Sequence, residues 1–114
     1  MRYALLIFEK PGAYDPLTTD ERTAITAEYM AIAGDPRVVG GAQLRPAEAA
    51  TTLRLHGDEL LTTDGPFADT KEVLGGYFVF EASNLDEVLE VAQRIPAIRL
   101  GGSVEVRPVV EQPR

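Results

Sequence analysis

The sequence predicts an α+β fold, a ferredoxin-like βαββαβ sandwich with an inserted β-hairpin. The first observation is the order of the elements, which reads strand–helix–strand, hairpin, strand–helix–strand. The second is a similarity between the two halves of the chain, in which residues 3–9 resemble residues 77–81 and residues 40–46 resemble residues 101–108. The third is size, because a chain of 114 residues suits one compact domain spanning residues 1–114.

The first strand is predicted over residues 3–8, where apolar side chains occupy both faces, as in a strand that is buried on both sides. The first helix follows Thr18, because Thr18 and Glu21 have the spacing of a capping box. Its apolar face comprises Ile25, Tyr29, Ile32 and Ala33. Gly34 is expected to end the helix as a left-handed cap, before Pro36.

The middle of the chain is predicted to contain one irregular strand and one hairpin. Residues 38–44 hold two valines, a glycine pair and a leucine, a composition typical of a short distorted strand. Residues 51–55 alternate and are expected to pair with residues 60–63. The turn at residues 56–59 places His56, the only histidine, at the exposed tip of this hairpin.

The last part of the chain is predicted to form a strand, a helix and a final strand. Residues 77–80 are again apolar on both faces, and the final strand covers residues 103–109. Ser83 or Asn84 is expected to cap the helix between them, and Pro96 to end it. The apolar stripe of this helix comprises Leu85, Val88, Leu89, Ala92 and Ile95.

One face of the predicted sheet carries no helix, because both helices of this fold lie on the other face. Such a face normally alternates with polar residues, but the strands at residues 3–8 and 77–80 are apolar in both directions. A second subunit is the simplest cover, so the sequence predicts a homodimer through the helix-free sheet face. The residues that motivate this expectation are Leu6, Phe8, Phe78 and Phe80.

The charge and the composition of the chain limit the partners and the cellular location that are expected for it. The net charge of −7 repels phosphate backbones and no basic stripe offsets it, so neither nucleic acid nor an anionic membrane surface is expected as a partner. The chain has no cysteine, which excludes a thiol nucleophile and a disulfide framework. The apolar run at residues 3–8 is too short for a signal-peptide core or a membrane span, and a cytoplasmic location is therefore expected.

No metal or cofactor is expected. A zinc site needs three or four converging ligands, and a single histidine without cysteine does not supply the usual set. The three glycine pairs, at residues 40–41, 75–76 and 101–102, match neither the dinucleotide-binding nor the P-loop pattern. Distortion of the strands explains the glycine pairs better than a phosphate-binding loop does.

The segment "DGPFADTKE", residues 64–72, followed by the glycine pair at residues 75–76, resembles the signature of the DGPF branch of the YCII-related domain family. The segments "AGDPRVVGGAQLRP", residues 33–46, and "GGSVEVRPV", residues 101–109, are similar to its middle and its closing strand. The resemblance covers essentially the whole chain. It implies a small dimeric protein of the dimeric α+β-barrel type.

The resemblance also bears on function. Some relatives of the YCII type use a histidine on the first helix, together with an aspartate, for acid–base or dehalogenating chemistry. Counting back from Gly40 places Tyr29 at that position, so this chain lacks the histidine. Members of the DGPF branch are often associated with extracytoplasmic-function sigma factors, which is a context and not an activity.

Asp64 is the candidate catalytic residue, and two interpretations of it remain open. In the first, Asp64 only forms a turn, because aspartate accepts hydrogen bonds from nearby backbone N–H groups, glycine adopts positive φ and proline rigidifies the exit. In the second, Asp64 lies beside a pocket and carries a proton. Tyr29, Lys71 and Arg107 are the candidate ligand-binding residues. Lys71 is otherwise a solvated charge at a strand entry, and Arg107 is otherwise one half of an inter-subunit ion pair with Glu105.

Two classes of function follow. The first is an accessory dimer of unassigned activity that binds a small molecule or a protein partner, which is favoured because no nucleophile–base pair, metal set or cofactor motif is present. The alternative is a small acid–base enzyme, of the lyase, dehalogenase or isomerase type, that uses Asp64 at a pocket near the dimer seam.

Overall fold

The computed structural model describes residues 1–66 and 70–111, so part of the DGPF segment lies outside the described residues. The described chain is a mixed α+β structure, as predicted. Its elements in chain order are β1 (Arg2–Glu9), α1 (Thr19–Ala33), β2 (Val38–Gln43), a 3₁₀ turn (Ala47–Ala49), β3 (Thr51–His56), β4 (Glu59–Asp64), β5 (Val73–Glu81), α2 (Leu85–Ala92) and β6 (Ser103–Pro108).

The main sheet has four strands in the order β2-β5-β1-β6, and every neighbouring pair is antiparallel. Without the hairpin, this is the strand order of a βαββαβ ferredoxin-like fold, which confirms the predicted fold class. The hairpin β3–β4 forms a separate two-stranded sheet, inserted between β2 and β5. None of the described helices is both long and apolar enough to cross a membrane.

The core lies between the helices and one face of the sheet. From β1 it takes alternate side chains, Tyr3, Leu5 and Ile7, and Phe80 of β5 is fully buried opposite Tyr3. The helices and the segment after them complete this cluster with Ile32, Val88, Val91, Ala92 and Ile95. Burying one such large apolar side chain contributes about 1.5–3 kcal/mol, so this layer accounts for much of the stability of the fold.

This arrangement corrects the sequence-based assignment of Phe78 and Phe80 to the dimer face. Phe78 pairs with Leu5, Phe80 pairs with Tyr3, and both phenylalanines face the helices. The opposite face, which we call the helix-free face, carries the apolar residues Leu6, Phe8, Leu74, Tyr77 and Val79. Glu105 and Arg107 of β6 lie on the same face, paired with Leu6 and Ala4. Leu74 and Tyr77 are 41% and 37% exposed, so the apolar part of this face is only partly covered within one subunit.

The predicted start of α1 is confirmed. The Thr18 hydroxyl accepts from the Glu21 N–H at 3.1 Å, and the Glu21 carboxylate accepts from the Thr18 N–H at 3.0 Å. The left-handed cap expected at Gly34 is wrong, because Gly34 has φ −80° and ψ −7°. Its N–H continues the helical pattern to the Met30 carbonyl at 3.0 Å, so the chain leaves the helix without a positive φ.

The second helix begins as predicted but is shorter than expected. Asn84 is its cap, with its side-chain oxygen accepting from the Glu87 N–H at 3.0 Å. The helix ends at Ala92, and i→i+3 hydrogen bonds carry the next turn towards Pro96. Val91 is buried whereas Leu85 and Leu89 are exposed, so the buried stripe is rotated from the predicted one.

The hairpin is present but is less covered than the main sheet. His56 pairs with Glu59, so the turn consists of two residues, and Gly57 has a φ of +62° that favours glycine. Its leucines Leu53, Leu55 and Leu60 are 63%, 68% and 64% exposed. The radius of gyration is 16.2 Å, above the roughly 13 Å of a compact chain of this length. The hairpin therefore stands away from the main body.

Candidate functional site

A cavity of about 490 Å³ lies between α1 and the sheet strands β1, β2 and β5. Ile7, Ile25, Met30 and Phe78 contribute to its apolar walls. Its polar side chains are Glu9, Tyr14, Arg22, Thr26, Tyr29 and Gln43. Both its volume and its combination of an apolar wall with a few polar groups are typical of a site for a small organic molecule.

Glu9 enters this cavity from the last position of β1. The β1–β5 register shifts between Ile7 and Phe8, which pair with Gly76 and Leu74, so Gly75 has no partner on β1. A Cβ atom at Gly75 would lie only 2.7 Å from Cδ of Glu9 and 2.9 Å from its Oε2. Irregular pairing of this kind redirects side chains next to functional sites. Gly75 therefore provides the space that the Glu9 carboxylate occupies.

Tyr14 connects the loop before α1 to Glu9. Its hydroxyl donates to Oε1 of Glu9 at 3.2 Å, and its carbonyl accepts from the Arg22 guanidinium at 2.8 Å. Burial, followed by the influence of Tyr29 and of Glu9, raises the pKa of Tyr14 well above its usual value. At neutral pH the Tyr14 hydroxyl is therefore protonated and acts as a hydrogen-bond donor.

Tyr29 contributes a second phenol to the cavity wall, from the middle of α1. Its hydroxyl oxygen is shielded from solvent, and none of the described residues accepts its proton in hydrogen-bonding geometry. Burial and then the nearby Glu9 charge raise the pKa of Tyr29, while hydrogen bonding to its oxygen from Tyr14 and from the Ala97 backbone, and the charge of Arg99, act in the opposite direction. The group is thus a protonated hydroxyl whose proton none of the described residues accepts.

The burial of the Tyr29 hydroxyl leads to a prediction about the free energy of unfolding. An unsatisfied buried hydroxyl costs about 1–3 kcal/mol, so Tyr29→Phe is expected to raise the free energy of unfolding by about 1 kcal/mol. Tyr14→Phe is the matched control, because it removes a hydroxyl that is bonded to Glu9, and it is expected to lower that free energy. Urea denaturation of both variants measures the difference. A destabilised Tyr29→Phe would show that the hydroxyl is satisfied in the folded protein.

The other candidate residues from the sequence lie elsewhere. Asp64 is exposed at the end of β4, and none of the described residues donates a hydrogen bond to its carboxylate. The turn after it is held by backbone and hydroxyl bonds, from Gly65 N–H to the Ala50 carbonyl at 2.7 Å and from the Thr52 hydroxyl to the Gly65 carbonyl at 2.8 Å. A role for Asp64 in a pocket formed with a second subunit stays a prediction.

Lys71 and Arg107 are also not among the residues that line the cavity. Lys71 is exposed before β5. Arg107 forms an ion pair with Glu105 of its own strand, with 3.0 Å between Nε and Oε1. Of the four candidate site residues, the structure therefore places only Tyr29 in this cavity. Across residues 1–66 and 70–111, no group of three or more carboxylate or histidine side chains is arranged to hold a metal ion.

Sequence reasoning missed Glu9, Tyr14 and Gly75. The available signal was the position of Glu9, a carboxylate that directly follows an apolar strand and faces a tyrosine five residues later. The glycine pair at residues 75–76 indicated strand distortion, but its link to Glu9 depends on the β1–β5 register, which only the folded sheet provides.

Comparison with known proteins gives consistent results. The YCII-related domain matches residues 1–112. An uncharacterized protein of Rhizobium meliloti (strain 1021) is 33% identical, in an alignment that covers 96% of this chain and 92% of the other. Among solved structures, 5-chloro-2-hydroxyhydroquinone dehydrochlorinase from Burkholderia phenoliruptrix AC1100, in complex with 2,5-dihydroxybenzoquinone, has a similar fold. Its TM-score is 0.55 at 18% identity, over 98% of this chain and 96% of that one.

Proposed function

The chain belongs to the YCII-related domain family, and from that premise we propose that it binds a small organic molecule in the cavity between α1 and the sheet. The observation that carries the proposal is the buried Tyr29 hydroxyl, whose proton none of the described residues accepts, on the wall of a cavity that also holds the Glu9 carboxylate. A ligand atom that accepts this hydrogen bond would offset the cost of keeping the hydroxyl buried.

The binding role is proposed as accessory, with a homodimer as the functional unit. The helix-free face supports the dimer, because five apolar side chains share it and no described helix packs on it. We further propose that the chain belongs to the DGPF branch, on the strength of the segment at residues 64–72.

A second candidate function is acid–base catalysis at the same cavity. The observation that favours it is the grouping of one carboxylate, Glu9, with two protonated phenols, Tyr14 and Tyr29. Glu9 would accept a proton and a phenol would donate a hydrogen bond to the oxygen on which charge develops. The similar structure is that of a dehydrochlorinase, which supports keeping this candidate. In this version Glu9 takes the role that the sequence assigned to Asp64.

The proposed site is tested by blocking the cavity. Thr26 lines it from an exposed position on α1, and its hydroxyl bonds only to the Arg22 carbonyl at 3.0 Å among the described residues. Thr26→Trp is expected to fill the cavity mouth, whereas Ala27→Trp, one residue further and outside the cavity lining, leaves it open. Both variants and the wild type are screened by thermal shift against a library of small aromatic and carbonyl metabolites.

The expected result is a set of ligands that stabilise the wild type and Ala27→Trp but not Thr26→Trp. Ligands that stabilise all three proteins equally would place binding elsewhere and contradict the proposed site. Product analysis of each stabilising ligand, by mass spectrometry after incubation with the wild type, separates the two functions. Chemical change that is lost in Glu9→Gln supports catalysis, and unchanged ligand supports the accessory role.

A further inference from the structure

We propose that the cavity selects a hydroxy-carbonyl compound, whose hydroxyl donates to the free oxygen of Glu9 and whose carbonyl accepts from Tyr29. The inference rests on the proposed function and specifies its ligand class. It follows from matching the hydrogen-bonding capacity that remains on each side chain of the cavity to the groups that a ligand must carry.

The Tyr29 hydroxyl calls for an acceptor on the ligand. It retains its proton at neutral pH, because burial and the Glu9 charge both raise its pKa, and no described residue accepts that proton. A carbonyl oxygen supplies the missing acceptor. The oxygen of Tyr29 is shielded by its surroundings, so the proposal includes a side-chain rotation that exposes this oxygen to the ligand, an adjustment that is common on binding.

The Glu9 carboxylate calls for a donor on the ligand. Only one of its oxygens is engaged, since Tyr14 donates to Oε1 and none of the described residues donates to Oε2. An ionised carboxylate has acceptor capacity on both oxygens and no proton to donate. The group that fits Oε2 is therefore a hydrogen-bond donor, and a hydroxyl is the uncharged donor that we propose. The lining of the same cavity includes the apolar residues Ile7, Ile25 and Phe78, which suit a carbon skeleton.

Gly75 is the positioning residue for this arrangement. A Cβ atom there would overlap the Glu9 side chain, with Cγ at 3.0 Å and Oε2 at 2.9 Å. Because the overlapping atoms belong to a flexible side chain, Gly75→Ala is expected to displace the carboxylate and leave the sheet intact. Gly40→Ala is the matched control, because its nearest contacts are side-chain atoms of Val79 at 3.8 Å.

The test uses three families of probes on the same ring. The 2-, 3- and 4-hydroxybenzaldehydes carry both groups, the methoxybenzaldehydes lack the donor, and the cresols lack the carbonyl. Isothermal titration calorimetry with the wild type is expected to show at least one hydroxybenzaldehyde binding about tenfold or more tightly than both of its matched analogues, which is about 1.4 kcal/mol.

The variants assign each group to its side chain. Tyr29→Phe is expected to bring the hydroxybenzaldehyde and the cresol to equal affinity, because the carbonyl then has no donor. Gly75→Ala is expected to bring the hydroxybenzaldehyde and the methoxybenzaldehyde to equal affinity, whereas Gly40→Ala keeps the wild-type preference. Circular dichroism confirms that each variant is folded.

Equal affinity of the wild type for all three probe families would overturn the ligand class. So would a failure of every probe to bind while the metabolite library still yields ligands that Thr26→Trp blocks, and in that case the proposed function stands. If the library yields no such ligand and no probe binds, the proposed function fails together with this inference.

Discussion

Replacing Phe80 by alanine is expected to lower the free energy of unfolding by about 3–5 kcal/mol, the usual cost of removing a buried aromatic ring from a core. Phe80 is completely buried on β5, opposite Tyr3, and the Arg37 guanidinium stacks 4.9 Å from the centre of its ring. Removing the ring leaves a cavity below both helices and takes away the surface on which Arg37 lies. Urea denaturation measures the loss.

Val79→Ala is the comparison for this effect. Val79 is the neighbouring residue on β5, but it points to the helix-free face and is only partly buried. We expect its replacement to cost markedly less than the replacement of Phe80. Similar costs for the two variants, or a loss below about 1 kcal/mol for Phe80→Ala, would contradict the assignment of Phe80 to the helix-covered core.

Leu6→Asp is expected to weaken the proposed homodimer by about 100-fold or more, or about 2.7 kcal/mol. Leu6 lies on β1, a central strand, opposite Tyr77 on the helix-free face. A specific interface buries roughly 800 Å² on each partner. Within such an interface, an aspartate loses water without gaining a partner, and two-fold symmetry introduces a second one. Sedimentation velocity across a concentration series measures the change.

Leu89→Asp is the control for the dimer prediction. Leu89 is 44% exposed on α2, on the opposite layer of the sandwich, so its replacement is expected to leave the dimer intact. Equal weakening by both substitutions would move the interface away from the helix-free face. A wild-type protein that sediments as a monomer at micromolar concentration would contradict the dimer itself.

The fold could be predicted from the sequence because the residues that specify its helix ends and turns are close together in the chain. The capping box at Thr18 and Glu21, the Asn84 cap and the turn at Gly57 each depend on neighbouring residues. The order of the elements then leaves few topologies. The face of the sheet to which Phe80 points could not be predicted in this way. The strand is apolar on both faces, so its periodicity does not tell which face meets the helices.

The site was harder to predict from the sequence because it depends on the register between strands of the sheet. Tyr29 could be reached through the resemblance to a known family, and the structure places it at the cavity. Glu9 and Gly75 are 66 positions apart in sequence, and they meet only because the β1–β5 register shifts beside them. Asp64 attracted attention through its specific motif, but it lies on the separate hairpin sheet. A local motif therefore indicated the family better than it indicated the cavity.

The most direct test of the central claim is a titration of ¹⁵N-labelled protein with the tightest-binding hydroxybenzaldehyde, followed by amide chemical-shift mapping. Binding between α1 and the sheet predicts the largest shifts at Glu9, Tyr29 and Gly75, with little change at Leu55 on the hairpin. It also predicts that Thr26→Trp abolishes these shifts. The largest shifts on the hairpin or on the helix-free face, with Glu9 and Tyr29 unchanged, would contradict the account.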